Sequence, residues 1–288
     1  MENIAVFAHF DKDNLIDDYV IYYLNHIRDI ADKIIFVSDS SLSNEELSKI
    51  SCIADDIICA KHREYDFGSY KRGFNLALEK GYLINADNLI FLNDSCYGPF
   101  YSLSSYFEKM QNASVDFWGL TCNKNVLQGV EFPCPETKNT HLQTYFIVFR
   151  NNVFNSEIFK NFINSIEKKD NKFFVIADYE IGLTALLAKA GYKFFSFEKT
   201  QIGVKNKNDI FKSYNNKPFV FLKTSVLRRR PYAFVYRSWL NNIKKYSSYP
   251  TSVILNNLVR TKESVTEPVV KLFLKKLSGF FMREREAV

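Results

Sequence analysis

The stretch EYDFGSYKRGFNLALEKGYLINADNLIFLNDSCYGP, Glu64 to Pro99, decides the fold. It reads as a turn with Asp66 and Gly68 at the head of a helix, with clear helical residues over Phe74–Lys80 and Gly81 as the stop. A buried strand, Asn88–Leu92, follows and ends in Asn93-Asp94-Ser95 before a turn at Gly98-Pro99. In open α/β sheets ligands bind at the carboxyl ends of strands, beside helix N-termini that welcome phosphate. Both polar clusters fall at such ends. Taken singly, each also has a plain reading: Asp66 and Ser69 cap a helix, and residues 94–99 form a turn. An acid directly after a buried strand is, equally, where Mg²⁺ or Mn²⁺ can be held against a pyrophosphate, because such an ion takes one or two carboxylates plus phosphate oxygens.

On either side of this stretch, strand-like and helix-like segments alternate. Upstream, Ile4–Ala8, Lys33–Ser38 and Ile57–Ala60 read as strands, and Leu15–Ile30 carries apolar residues at helical spacing. Ser43-x-x-Glu46 is a capping box that opens another helix. Downstream, Leu103–Met110 reads as a helix, Val115–Leu120 and His141–Arg150 as strands, Asn155–Glu167 and Asp178–Ala190 as helices, and Tyr192–Phe197 as the last strand. Residues 123–139 hold Gly129, Pro133 and Pro135 without periodicity and read as a long loop over the substrate side. The alternation predicts an α/β fold with a mostly parallel central sheet covered on both faces.

The 288 residues suffice for one large α/β domain and an appendage. Hydrophobic residues at 47% and charged residues at 24% argue against disorder, and 16% aromatic residues promise a ring-rich core. The N-terminus shows neither the basic n-region nor the cleavable apolar stretch of a signal peptide, and no apolar run reaches the roughly 20 residues of a membrane span. Five cysteines without metal spacing fit a reducing cytoplasm.

Charge divides the chain. From Gln201 onward there are 18 Lys and Arg against 5 Asp and Glu, a net +13, whereas the preceding residues carry −7. We therefore expect a catalytic domain over 1–225 and a basic, mainly helical segment over 226–288 that meets an anionic surface. Basic and aromatic residues interleave over Arg228–Lys245, yet no nucleic-acid fold motif accompanies them, so no nucleic-acid partner is expected. From Pro268 onward, Val269, Phe273, Leu277 and Phe280 share a helical face opposite Lys271 and Lys275. That pattern suits a helix lying in a membrane interface, or one packed on the protein's own core or on a second subunit.

Further candidate residues lie at the other segment ends. His9 and Asp11 follow the first strand, where a nucleotide base commonly sits in such folds. Asp17 and Asp18 read as first-turn acids, and Lys71 and Arg72 either neutralise a diphosphate or line an exposed helix face. Trp118 at a strand end either stacks on a sugar or nucleotide ring or fills the core.

Several blocks together resemble the rhamnan synthesis protein F family. They are Ile16-Asp17-Asp18-Tyr19, Tyr65-Asp66-Phe67-Gly68, Asn93-Asp94-Ser95-x-Tyr97-Gly98-Pro99, Asp116-Phe117-Trp118-Gly119, His141-Leu142-Gln143-Thr144-Tyr145-Phe146 and Tyr179-Glu180-x-Gly182-Leu183-Thr184. They fall in the family's order over roughly residues 1–225. The resemblance implies a glycosyltransferase of bacterial cell-wall or O-antigen polysaccharides; some members transfer L-rhamnose from dTDP-rhamnose. It also implies a GT-A-like nucleotide-binding sandwich. In that wider group an Asp-x-Asp triplet follows a strand and an acidic base opens a later helix. Here the triplet is Asn93-Asp94-Ser95, with one carboxylate in place of two.

On this footing the donor-binding set comprises His9, Asp11, Asp66, Gly68, Lys71, Asn93, Asp94 and Ser95, with Asp94 as the metal-holding acid. Glu180 is the preferred catalytic base and Asp178 the alternative; the plain reading is that both only complement a helix dipole. Trp118, His141 and Gln143 are acceptor-binding candidates, the last two projecting from one strand face. The expected partners are a nucleotide diphosphate sugar, a lipid-linked glycan and an anionic membrane surface at the inner face of the cell membrane. A sugar nucleotidyltransferase would need a Gly-rich basic loop after the first strand, where AHFDKDN stands. A non-catalytic glycan- or nucleotide-binding module is the third reading.

Overall fold

Strand β1 (Asn3–His9) is buried at all seven residues, as a strand with helices on both faces must be. A computed structural model describes residues 1–124, 140–198, 220–228 and 233–261. After β1 come α1 (Asp18–Ile27), β2 (Lys33–Ser38), α2 (Asn44–Ser48), β3 (Asp56–Cys59), α3 (Tyr65–Glu79), β4 (Asn88–Asn93) and the short β5 (Cys96–Tyr97). The second half holds α4 (Ser104–Gln111), β6 (Phe117–Lys124), β7 (Thr140–Leu142), β8 (Phe146–Arg150), α5 (Asn151–Phe154) and α6 (Glu157–Asn164). Then follow α7 (Lys172–Phe174), a π-helix (Val175–Ile181), α8 (Gly182–Lys189), β9 (Phe194–Glu198), β10 (Leu222–Lys223), α9 (Thr224–Arg228), α10 (Ala233–Tyr246) and α11 (Thr251–Thr261).

The main sheet runs β3-β2-β1-β4-β8-β6-β7, with β9 also paired to β6. β3, β2, β1 and β4 are parallel; β8 runs antiparallel between β4 and β6, and β9 is parallel to β6. The fold is thus α/β with a mostly parallel sheet. Alternate residues feed two cores. Ala5, Phe7, Phe36, Leu92, Phe146 and Val148 face α1 and the C-terminal helices, while Ile4, Val6, Ile35, Phe91, Ile147 and Phe149 face α3, α6 and the π-helix. Tyr70 of α3 stacks on Phe91 at 4.5 Å, and α3 approaches β1 so closely that a Cβ at Gly73 would lie 2.3 Å from Val6 Cγ1.

Several sequence expectations are corrected. Asp66 and Gly68 do stand at the head of a helix, but α3 runs unbroken from Tyr65, extending the predicted Phe74–Lys80 run by nine residues; Asp39 Oδ1 accepts from the amides of His62 and Arg63 at 2.6 and 2.8 Å and fixes the preceding turn. The segment 141–150 is two strands, since the chain breaks at Gln143-Thr144. The helix predicted from Asp178 starts earlier and is a π-helix through Ile181. Ser43 does cap α2, its Oγ accepting from Glu46 N at 3.2 Å, but Glu46 does not close the box: its Oε2 accepts from Ile16 N at 2.6 Å.

The boundary expected at 225 falls inside α9, and Val226, Leu227, Ile243, Ile254 and Leu258 share the core behind α1. Arg260 on α11 reaches Asp11, Asp13 and Asp17 in the β1–α1 loop, at 2.9 Å for Asp13 Oδ2 and 2.6 Å for Asp17 Oδ2. Asn257 Nδ2 adds a bond to Asp17 Oδ2 at 2.5 Å. Removing the guanidinium would leave partly buried carboxylates without their cation. Arg260→Ala is therefore expected to lower stability by about 2–4 kcal/mol, read as a lower denaturation midpoint at unchanged m; a loss within a few tenths would mean that solvent serves those acids equally well. The amphipathic stretch after Pro268 and most of the 123–139 loop lie outside the described residues, and among those described no helix is long and apolar enough to cross a membrane.

Candidate active site at the carboxyl ends of β1 and β4

Strand order reverses at β1, flanked by β2 on one side and β4 on the other, and the site forms where their carboxyl ends meet. The chain leaving β1 folds back on Asp94: Phe10 N donates to Asp94 Oδ2 at 2.9 Å, while Asp94 N donates to Ala8 O at 3.3 Å. Tyr19 OH donates to Asp94 O at 2.9 Å. Burial pushes the Asp94 carboxyl up to about 7; the Phe10 amide opposes the rise and the charge of Asp66 adds to it. His9 is buried, with Nδ1 2.9 Å from Ser38 Oγ and Nε2 4.0 Å from Asp94 Oδ2. Burial pushes this imidazole down to about 4, so it faces Asp94 neutral at physiological pH.

Asp66 lies in the first turn of α3, where Asn93 Nδ2 donates to its Oδ2 at 2.7 Å. Ser95 fixes the Asn93 amide, its Oγ and N donating to Asn93 Oδ1 at 2.6 and 3.1 Å. Asp66, Asn93, Asp94 and Ser95 therefore form one constellation, as their strand-end positions implied. Burial raises the Asp66 pKa, Glu180 raises it further, and Lys172, Asn93 and Lys223 oppose.

Glu180 enters from the π-helix. The wider turn of such a helix re-aims side chains and often marks functional positions. Thr144 N donates to Glu180 Oε1 at 3.3 Å, and Tyr70 OH donates to Thr144 O at 2.8 Å. The break at Gln143-Thr144 is thus what frees an amide to meet Glu180. Burial raises the Glu180 pKa against the charges of Lys223 and Lys172 and the Thr144 amide. Asp178 faces the other way: it is exposed, with Lys169 Nζ 3.1 Å from Oδ2.

His141 and Gln143, expected on one strand face, are both buried. Gln143 Oε1 accepts from Thr121 Oγ1 at 2.9 Å, and burial with the charge of Lys223 pushes His141 down to about 4. Four other candidates are held elsewhere. Trp118 is 1% exposed at the start of β6, at the opposite end of the sheet from Asp94, packed on Phe107, Phe146 and Phe197. Lys71 Nζ donates to Asn164 O and Ile166 O at 3.0 and 2.8 Å, capping α6. Asp11 is engaged by Arg260 and Ser40 Oγ. Gly68 is packed under its own turn, where a Cβ would lie 2.3 Å from Glu64 Cβ.

Two cations went unnoticed in the sequence, Lys172 and Lys223. Lys223 follows a pattern-poor stretch, and only its pairing in β10 with β5 brings it to the site, so local sequence holds no signal for it. Among the described residues no group of three or more His, Cys, Asp and Glu forms a metal cluster.

The family model for rhamnan synthesis protein F matches residues 34–287. The chain is 28% identical over 193 residues to the uncharacterized protein y4gN of Sinorhizobium fredii, covering 67% of this chain and 46% of that one. It is 26% identical over 188 residues to the virulence protein VirA of Vibrio anguillarum, covering 64% and 54%. The chain thus spans about half the length of the curated relatives it matches. Among solved structures it is similar to core-mannan synthase A from Aspergillus fumigatus in its Mn/GDP form, with TM-score 0.42, 11% identity and 68% and 73% coverage of the two chains. It is also similar to HddC from Yersinia pseudotuberculosis, with TM-score 0.43, 11% identity and 86% and 100% coverage. Because the matched region takes in α3, β4, the π-helix and the C-terminal helices alike, the chain belongs to the rhamnan synthesis protein F family.

Proposed function

We propose that this chain is an inverting, GT-A-like glycosyltransferase that moves a sugar, L-rhamnose among the candidates, from a nucleotide diphosphate donor to a growing bacterial surface polysaccharide. Membership in a family of rhamnan synthesis proteins supports a transferase of polysaccharide synthesis. The observation that carries the reading is Glu180, a half-buried acid with a raised pKa, near enough to Asp66 for its charge to raise that carboxyl, beside the Asp66-Asn93-Asp94 constellation where strand order reverses.

Glu180 takes the proton of the acceptor hydroxyl as that oxygen bonds to the anomeric carbon. The bond from that carbon to the diphosphate breaks on the opposite face, and the nucleoside diphosphate leaves with the electron pair. A base whose pKa is raised towards neutrality is well matched to this work. Asp94 is the acid that would hold the diphosphate through Mg²⁺ or Mn²⁺, with phosphate oxygens and water completing the ion's shell; the ion would neutralise charge on the leaving group. His141 and Gln143, on the segment that leads to the Thr144 amide, are the acceptor-side candidates in this reading.

A sugar nucleotidyltransferase is the second reading. The loop after β1 disfavours it, since Asp11 there is committed to Arg260 and no Gly-rich basic loop is present. The lipid-linked acceptor and an anionic membrane surface met by the basic C-terminal residues belong to the same proposal. Thermal stabilisation across a panel of dTDP, UDP and GDP sugars tests it. A true donor at 100 times its dissociation constant adds about 2.7 kcal/mol, and a flat response across the panel would remove the nucleotide-sugar reading.

A further inference from the structure

The small β5–β10 ladder places a lysine where the proposed chemistry has only acids. Lys223 pairs with Cys96, and Thr224 N donates to Ser95 O at 2.9 Å, so β10 is fastened directly to the Asn93-Asp94-Ser95 corner. Lys223 Nζ lies over the Tyr145 ring, 5.0 Å from its centroid. Tyr145 adjoins Thr144, whose amide holds Glu180. From there the ammonium is near enough to Glu180, Asp66 and His141 for its charge to act on all three. Lys172, at the start of α7, acts on the same two acids from the solvent side.

Asp66, Asp94 and Glu180 bring three carboxyl groups to this end of the sheet, and carboxylates beside a diphosphate repel it. Beyond the divalent ion proposed at Asp94, a phosphate-bearing ligand entering here gains from a fixed cation, and a compact ammonium binds phosphate as a point charge. Resting on the nucleotide-sugar reading, we propose that Lys223 is the residue that contacts the diphosphate of the donor, with Lys172 adding charge at the rim. The alternative is that Lys223 only balances Glu180 and Asp66. In that case it would not discriminate a diphosphate from a nucleoside.

The test is calorimetric titration of the full chain with dTDP, UDP and GDP and with thymidine, uridine and guanosine, for wild type, Lys223→Met and Lys223→Arg. Loss of a charge-assisted phosphate contact should weaken diphosphate binding by about 10- to 100-fold in Lys223→Met. Nucleoside affinity should stay unchanged, and arginine should restore most of the loss. Equal losses for nucleoside and diphosphate, or no loss for either, overturn the assignment. Wild type that binds none of the three diphosphates removes the nucleotide reading itself, and the lysine's role with it. Amine labelling of the wild-type chain supplies a readout that needs no variant. The bound diphosphate, and not its nucleoside, should protect Lys223 from acylation, and unprotected Lys223 would again overturn the assignment.

Discussion

Glu180→Gln is expected to lower kcat by about 10²–10⁴-fold, the usual contribution of a general base, while nucleotide affinity stays near that of wild type. The separation follows from position: Glu180 comes from the π-helix and meets the site through Thr144, whereas the diphosphate candidates come from β4, α3 and β10, and glutamine leaves the Lys223 ammonium in place. Glutamine keeps the size of the side chain and an oxygen to accept the Thr144 amide, so the loss would report the missing proton acceptor and not a collapsed wall. Asp178→Asn is the control, since Asp178 is exposed and paired with Lys169, and its variant should turn over at close to the normal rate. The acid limb of the wild-type profile should sit above the ordinary glutamate range, because burial favours the protonated form of Glu180. Near-normal turnover of Glu180→Gln, measured as sugar transfer to a glycan acceptor, would move the base elsewhere.

Much of this site was legible because it sits where strands end. β1, β2 and β4 are short apolar runs bounded by polar residues, and Gly81 stops α3 as expected, with φ +71°. The parts that escaped the sequence depend on contacts between distant segments. The turn before α3 is held by Asp39, more than 20 residues upstream, and includes positive φ at Arg63 and Tyr65, types that give no turn signal. Alternation over 141–150 says which residues are apolar, but not that the chain breaks at Gln143-Thr144 or that β8 runs antiparallel. Trp118 was expected at a functional strand end and lies at the other one, because the strand begins two residues later than predicted and runs on to Lys124. Arg260 and Lys223 look like members of a basic tail, and only the fold distinguishes a clamp on the β1–α1 loop from a cation among acids.

Asp94→Asn is expected to stabilise the ligand-free protein at pH 8 and, at the same pH, to weaken donor binding that depends on Mg²⁺ or Mn²⁺. Burial raises Asp94 from an ordinary 3.8 to about 7, so between those values the folded state holds a proton that the unfolded state has released. Stability therefore falls as pH rises through this window, and above it the folded protein carries an ionised, poorly solvated carboxylate. Such a shift is on the order of 3 kcal/mol once partial solvent access is allowed for. Asparagine cannot ionise, yet it retains an oxygen for the Phe10 amide. The stability difference between variant and wild type should be small near pH 4.5 and grow in the variant's favour towards pH 8. His9 works with the opposite sign: burial lowers it from 6.5 to about 4, so its contribution is lost as pH falls through that range. The acid that destabilises the free protein is the one a cation would reward, since a divalent ion held between Asp94 and a diphosphate favours the ionised form. Wild type should consequently gain more stability than the variant from nucleotide plus Mn²⁺, and the two should differ less with nucleotide alone. A pH-independent difference would mean that Asp94 does not titrate in this window, and equal donor affinity with and without the ion would take Asp94 out of the diphosphate site.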